Sequence, residues 1–237
     1  MEKHLGIDHK FMSEKKNFLF KINKIYNYIF GEKFYKKLNF NWSEYPKRLE
    51  IIQNIITIRK YKKYLEIGCD KDQIFSNITI DFKIGVDPVQ GGNVRKTSDD
   101  FFISNSDKFD IIFIDGLHEY DQVNKDIKNS LKALNDGGVI LLHDCLPKSY
   151  FHQAIPRSRM SWNGDVWKNI VELRTNSEID TYTCFADQGI GIIFNRPNRK
   201  KLIISVNNFK KLKFRDFYYN YKEYLNIINS EEIYKIF

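Results

Sequence analysis

The stretch Lys108–Pro147, KFDIIFIDGLHEYDQVNKDIKNSLKALNDGGVILLHDCLP, leaves the chain few folds to choose from. Asp110–Ile114 is a short apolar run rich in Ile and Phe, which reads as a buried strand. It ends in Asp115-Gly116-Leu117-His118. Tyr120, Val123, Ile127, Leu131 and Leu134 then recur at helical spacing, and Asn135-Asp136-Gly137-Gly138 stops that helix. Val139–Leu142 is a second buried strand, ending in His143-Asp144. A strand, a crossover helix and a strand make a parallel, right-handed pair, so both strands end at one edge of one sheet. Open α/β sheets bind ligands at that edge. Asp115, His118, His143 and Asp144 are therefore expected around one crevice.

The rest of the chain extends the same pattern. Residues 1–40 read as helical, with Phe18, Ile22, Ile25 and Ile29 in phase and Gly31 as a stop; a second helix runs from Pro46 to near Lys60. Both read as a helical cover over a sheet edge, a dimerisation or membrane-surface arm being the other use of such a segment. Tyr64–Ile67 and Lys83–Val86 read as strands, Gln73–Ile78 as a short helix, and Ser98 and Asp99 as the start of another. Leu146–Gly164 has no periodicity and reads as a lid, a binding loop or a disordered segment. A helix from Asp165 follows, then a hairpin of Asp180–Phe185 and Gly189–Phe194, and a helix over Arg215–Ile228.

Charge divides the chain into three. The net charge is +8, but residues 1–63 carry a balance of +9, residues 64–198 one of −6 and residues 199–237 one of +5. This marks an N-terminal helical cover, a central domain and a basic, aromatic C-terminal extension. The expected site lies in the acidic part, which disfavours specific nucleic-acid binding. Cys69, Cys145 and Cys184 lack metal or redox spacing and suit a reducing, cytoplasmic setting. No apolar run approaches the roughly 20 residues of a membrane span, and the N-terminus lacks the pattern of a secretion signal.

Glu66 and Asp87 stand at the ends of the first two strands. An acid at the second strand end hydrogen-bonds ribose hydroxyls in nucleoside-binding sheets. The first loop, Gly68-Cys69-Asp70-Lys71-Asp72, has one glycine and two acids where a dinucleotide site needs three glycines. Acids repel a pyrophosphate and suit a cationic cofactor without phosphate, such as S-adenosylmethionine.

YLEIGCD, IGVDP, TSDDFF, FDIIFIDGLHEYDQV and GGVILLHDCLP, continued by WNGDVWKNI and DQGIGII, resemble class I S-adenosylmethionine-dependent methyltransferases over about residues 64–195. The closest branch is methyltransferase family 24, which includes O-methyltransferases of sugars and other small molecules. The resemblance implies a Rossmann-like α/β fold, with a mostly parallel seven-stranded sheet flanked by helices and an antiparallel C-terminal hairpin. It implies that Glu66 and Gly68 hold the methionine end of the cofactor and Asp87 the ribose. Ser98 and Asp99 would lie by the adenine, and Asp115 by the methyl-transfer centre. Asp70 and Asp72 depart from the further glycines of the family.

Some related enzymes bind a divalent metal with acids where Asp115 and Asp144 stand, so magnesium or a similar ion is one expectation. The other is a metal-free site in which His118, or else His143, acts as general base and activity falls as pH drops through a histidine pKa. His152, Arg157, Arg159 and Trp162 on the long loop are the candidate substrate contacts, the arginines suiting a phosphate or carboxylate. The expected function is cytoplasmic O-methylation of a sugar, nucleotide sugar or related hydroxyl compound in glycan or natural-product biosynthesis, with a homo-oligomer left open. The alternative is a non-catalytic cofactor-binding module that uses its basic flanks on a partner, RNA or a membrane surface.

Overall fold

The computed structural model describes the backbone of residues 3–237 and side chains from residue 17 onward, so Met1 and Glu2 of the expected N-terminal helix lie outside the described residues. Its centre is a seven-stranded sheet in the order β2-β1-β3-β4-β6-β5-β7. The strands are β1 (Lys63–Ile67), β2 (Phe82–Val86), β3 (Phe109–Ile114), β4 (Leu134–Leu142), β5 (Asp180–Cys184), β6 (Ile190–Phe194) and β7 (Ile227–Ile228). β1 to β4 are mutually parallel, and β6 runs antiparallel to both β4 and β5, which closes the expected hairpin.

Alternation within each strand builds two cores. Ile112 and Ile114 of β3 face one and Ile111 and Phe113 the other, each at most 1% exposed. Each such side chain contributes about 1.5–3 kcal/mol through burial. Helix α2 (Arg48–Arg59) covers the second core with Ile51, Ile52, Ile55 and Ile56. On the first lie α3 (Ser98–Ser104), α4 (Tyr120–Ala133), the single-turn α5 (Tyr150–Gln153), α6 (Trp167–Arg174) and α7 (Phe214–Tyr224). The rings of Trp167 and Phe217, 5.0 Å apart, join α6 to α7.

Several elements differ from the sequence reading. The first helix, α1 (Lys3–Phe30), ends before Gly31 as read, but Phe18, Ile22, Ile25 and Ile29 are 46–64% exposed rather than packed. Among its described residues the buried one is Asn27, whose amide donates to the Pro156 carbonyl, while the apolar cover on the second core comes from α2. The Gln73–Ile78 helix is a 3₁₀ turn over Phe75–Asn77. β4 starts at Leu134, because a register shift opposite β3 absorbs the glycine pair. The last helix stops at Tyr224; Asn226, with φ 48°, turns the chain into β7, which pairs with β5. At the opposite edge Val94 meets Val86 in a single bridge only.

Candidate active site

Register brings the site together. Ile67 pairs with Val86 and with Ile114, and Ile114 pairs with Leu142. The next residues, Gly68, Asp87, Asp115 and His143, therefore stand side by side at the carboxyl edge. Gly68 has φ +88°, and a Cβ there would lie 2.4 Å from the Asp115 carbonyl oxygen, so no other residue fits.

A cavity of about 590 Å³ opens beside Gly68, lined by Asp87, Ser98, Asp99 and Asp115, with Gln122 and Asp126 from α4. Its lining holds five acids and no Lys, Arg or His. Asp87 accepts from the backbone N–H groups of Val89, Gln90 and Asp70 at 2.8–3.0 Å. Burial pushes its carboxyl up, but those donors and Arg95 outweigh burial and hold it below the usual range. Gln122 donates to Ser98 Oγ, Asp99 Oδ1 and Asp126 Oδ1 at 3.1–3.2 Å and closes the far wall.

A second cavity, of about 490 Å³, shares Gly68, Asp70, Asp115 and Gly116 with the first. Its floor gathers all four predicted reactive residues. His118 Nε2 lies 3.1 Å from Asp115 Oδ1, and Nδ1 lies 3.0 Å from Asp144 Oδ2. His143 Nδ1 lies 3.1 Å from Asp115 Oδ1 and 3.5 Å from Asp144 Oδ2, and Nε2 lies 2.8 Å from the Asp187 carbonyl. His118 thus faces acceptors at both nitrogens, which favours the imidazolium, whereas His143 Nε2 also faces the Arg48 guanidinium. Burial disfavours that charge, but Asp144 and Asp115 override it and push both histidines up to about 10. Reciprocally, burial raises the carboxyls of Asp115 and Asp144, and the two histidines hold both far below the usual carboxylate range. Asp144 sits at φ 63°, a conformation costly for a residue with a Cβ, and Asn163 Nδ2 fixes its Oδ1 at 2.7 Å.

Glu66 lines this second cavity and is buried, with the Tyr64 hydroxyl donating to it at 2.5 Å. Burial, with Asp115 and Asp72 nearby, pushes its pKa up to about 7 against that hydrogen bond. Arg48, at the start of α2, is a residue that the sequence reading missed. Its Nη1 lies 2.8 Å from His143 Nε2 and its Nε 3.8 Å from Asp115 Oδ2. Nothing in the local spacing of α2 marks it, because only the tertiary fold carries that helix over the strand ends. Asn163 was likewise missed, although it stands inside the WNGD run.

The loop residues divide. The Trp162 ring stacks on His118 at 5.6 Å and 19°. Arg157 lies over the Trp162 and Phe20 rings and donates to the carbonyls of Arg159 and Met160, so much of its donor capacity holds the loop. His152 and Arg159 do not line this cavity; Arg159 Nη1 lies 3.3 Å from His152 Nδ1 on the other side of the loop. The loop is not an open lid. It contains α5, and Trp162, Asn163 and Gly164 are buried.

Asp115, His118 and Asp144 each offer a ligand atom, all within 4.8 Å of one another. Two carboxylate oxygens and an imidazole nitrogen fit a divalent cation once His118 has lost a proton.

None of the curated proteins matches the sequence. Among solved structures, the O-methyltransferase from Bacillus cereus in complex with SAH is similar at 11% identity and TM-score 0.47, over 76% of this chain and 90% of that one. SAH-bound PaMTH1 of Podospora anserina is similar at 17% identity and TM-score 0.48, over 64% and 80%. The O-methyltransferase TomG from Streptomyces achromogenes, in complex with SAM, is similar at 11% identity and TM-score 0.45, over 63% and 79%. The family model described as a methyltransferase domain, family 24, matches residues 73–145, which run from the loop after β1 through the reactive strand ends. Over those residues the chain is therefore similar to a methyltransferase domain, and they lie within the parallel half of the sheet.

Proposed function

We propose that the chain transfers a methyl group from S-adenosylmethionine to a hydroxyl of a sugar, nucleotide sugar or related small molecule. The observation that carries this reading is the pair of joined cavities. The first is lined by acids without a cation, which suits a cationic, phosphate-free nucleoside. It shares Gly68, Asp70, Asp115 and Gly116 with the second, which is floored by the four acid–base residues.

When bound, the cofactor supplies an already activated methyl group, so the protein has mainly to align the acceptor. Asp87 would hold the ribose, Ser98 and Asp99 the adenine side, and Gly68 and Glu66 the methionine end. Trp162 forms a wall against His118, and His118 takes the hydroxyl proton. A divalent ion, if used, would be held by Asp115, His118 and Asp144 and would polarise the acceptor hydroxyl. The three segments divided by charge act, in this reading, as helical cover, catalytic domain and basic extension.

Calorimetry with S-adenosylmethionine, followed by a methyl-transfer screen of nucleotide sugars with and without a chelator, tests the proposal. Asp87→Ala should weaken cofactor binding by roughly 1–3 kcal/mol, the weight of hydrogen bonds to a charged group. Unchanged affinity in a folded variant, or tight binding of NAD by the native chain, would sink the reading.

A further inference from the structure

The loop from Tyr150 to Trp162 has a second face. Behind it lies a cavity of about 460 Å³, bounded by α1, the Phe34–Lys37 segment and the loop itself. Lys24, Lys37 and Arg159 line it, and no carboxylate does. Among the described residues none of these three cations forms an ion pair. Ser158 also lines the cavity and is only 7% exposed, yet its hydroxyl has no partner. The Nε of Arg159 is buried without an acceptor. Buried donors left unmatched are destabilising, and a ligand bringing acceptors would recover that cost.

His152 senses the same field. Its Nδ1 lies 2.8 Å from Ser149 Oγ and 3.3 Å from Arg159 Nη1, and a guanidinium, which can only donate, favours the neutral ring. Burial, then Arg159, Lys148 and Lys37, push its pKa down to about 4. A concave site that refuses a further cation is built for an anion, and the planar Arg fork matches tetrahedral oxyanions. Three cations suit a group that carries close to two negative charges at neutral pH, as a phosphate ester does. Phe34, Tyr35 and Phe151 add apolar wall for its organic part.

We propose that this cavity binds a phosphate group, held by Arg159, Lys37, Lys24 and the Ser158 hydroxyl. The site is joined to the reactive cluster. The His152 carbonyl accepts from the N–H groups of Asn163 and Gly164 at 2.8 and 3.1 Å, and the Asn163 side chain fixes Asp144. The phosphate belongs either to the acceptor, a link that rests on the methyl-transfer reading, or to a separate effector.

Calorimetry of the full chain with inorganic phosphate and with pyrophosphate tests binding without any turnover. Saturable, salt-sensitive binding is expected, weakened roughly tenfold or more in Arg159→Gln and Lys37→Gln, the usual weight of a charge-assisted contact. Lys128→Gln, an exposed change on α4, should leave it unchanged. The NMR-measured pKa of His152 should rise when phosphate is added. The absence of saturable heat and of a His152 shift at millimolar phosphate overturns the proposal, as does native affinity in both cavity variants. Should Arg159→Gln fail to fold, Lys37→Gln and Arg159→Lys carry the test. Inorganic phosphate that competes with a nucleotide-sugar acceptor, with KM raised and kcat little changed in Arg159→Gln, identifies the acceptor's own phosphate. A rate change without competition identifies an effector, and both patterns support the site. If no acceptor is methylated, the calorimetric result still stands, so the two failures are distinguishable.

Discussion

His118 lies between two carboxylates, and its surroundings decide the pH at which it can act as a base. An ordinary histidine would lose its proton near pH 6.5, and activity would fall below that value. Here Asp144 and Asp115 push the pKa up to about 10, so at neutral pH the ring holds the proton that a base must first give away. The ascending limb of kcat/KM is therefore expected on the alkaline side, with activity rising from pH 7 toward about 10. A cationic ligand beside Asp115 competes for that carboxylate and moves the limb back toward neutrality. His118→Ala should lower kcat by about 10²–10⁴-fold and flatten the limb, with cofactor affinity little changed. A pH–rate profile of both proteins checks this, and full activity in the variant would remove His118 from the reaction. Asp115 and the His143-Asp144 pair were legible as residues because each follows an apolar run, and polar residues after buried parallel strands point to the binding edge. Arg48 was not, since a helix pattern gives a face and a phase but no distance to a strand 95 residues away.

At the scale of elements, the long loop and the start of α4 behave as one piece. Gly164 has φ +62°, and a Cβ there would lie 1.7 Å from the His118 carbonyl oxygen. The Asp165 side chain accepts from the Tyr120 N–H at 2.7 Å and so caps α4 from outside. Gly164→Ala should destabilise the chain by roughly 1–3 kcal/mol or more, the cost of a forbidden backbone region plus the clash. It should also lower activity by displacing His118, and thermal melts beside an assay separate the two effects. Lack of periodicity made this segment read as a lid. In the fold many of its polar groups, though not Ser158 Oγ or Arg159 Nε, are matched locally, as where Trp162 Nε1 donates to the Ala154 carbonyl, and such matching permits burial without a repeating pattern. α1 differs in the opposite sense, because its apolar spacing was clear but Phe18, Ile22, Ile25 and Ile29, among its described side chains, are exposed. β7 is two residues long, too short for a period to show.

Over the whole molecule, a net charge of +8 sits on the two ends of the chain while the acidic middle carries the site. Binding to RNA or DNA should be weak, without sequence preference, and lost steeply between low and physiological salt. Filter binding across a salt series checks this, and specific retention at physiological salt would contradict it. Among the described residues no helix is long and apolar enough to cross a membrane. The two cavities also share a boundary. Gly68, Asp70, Asp115 and Gly116 line both, so a substitution at any of these four positions should disturb binding in both chambers at once.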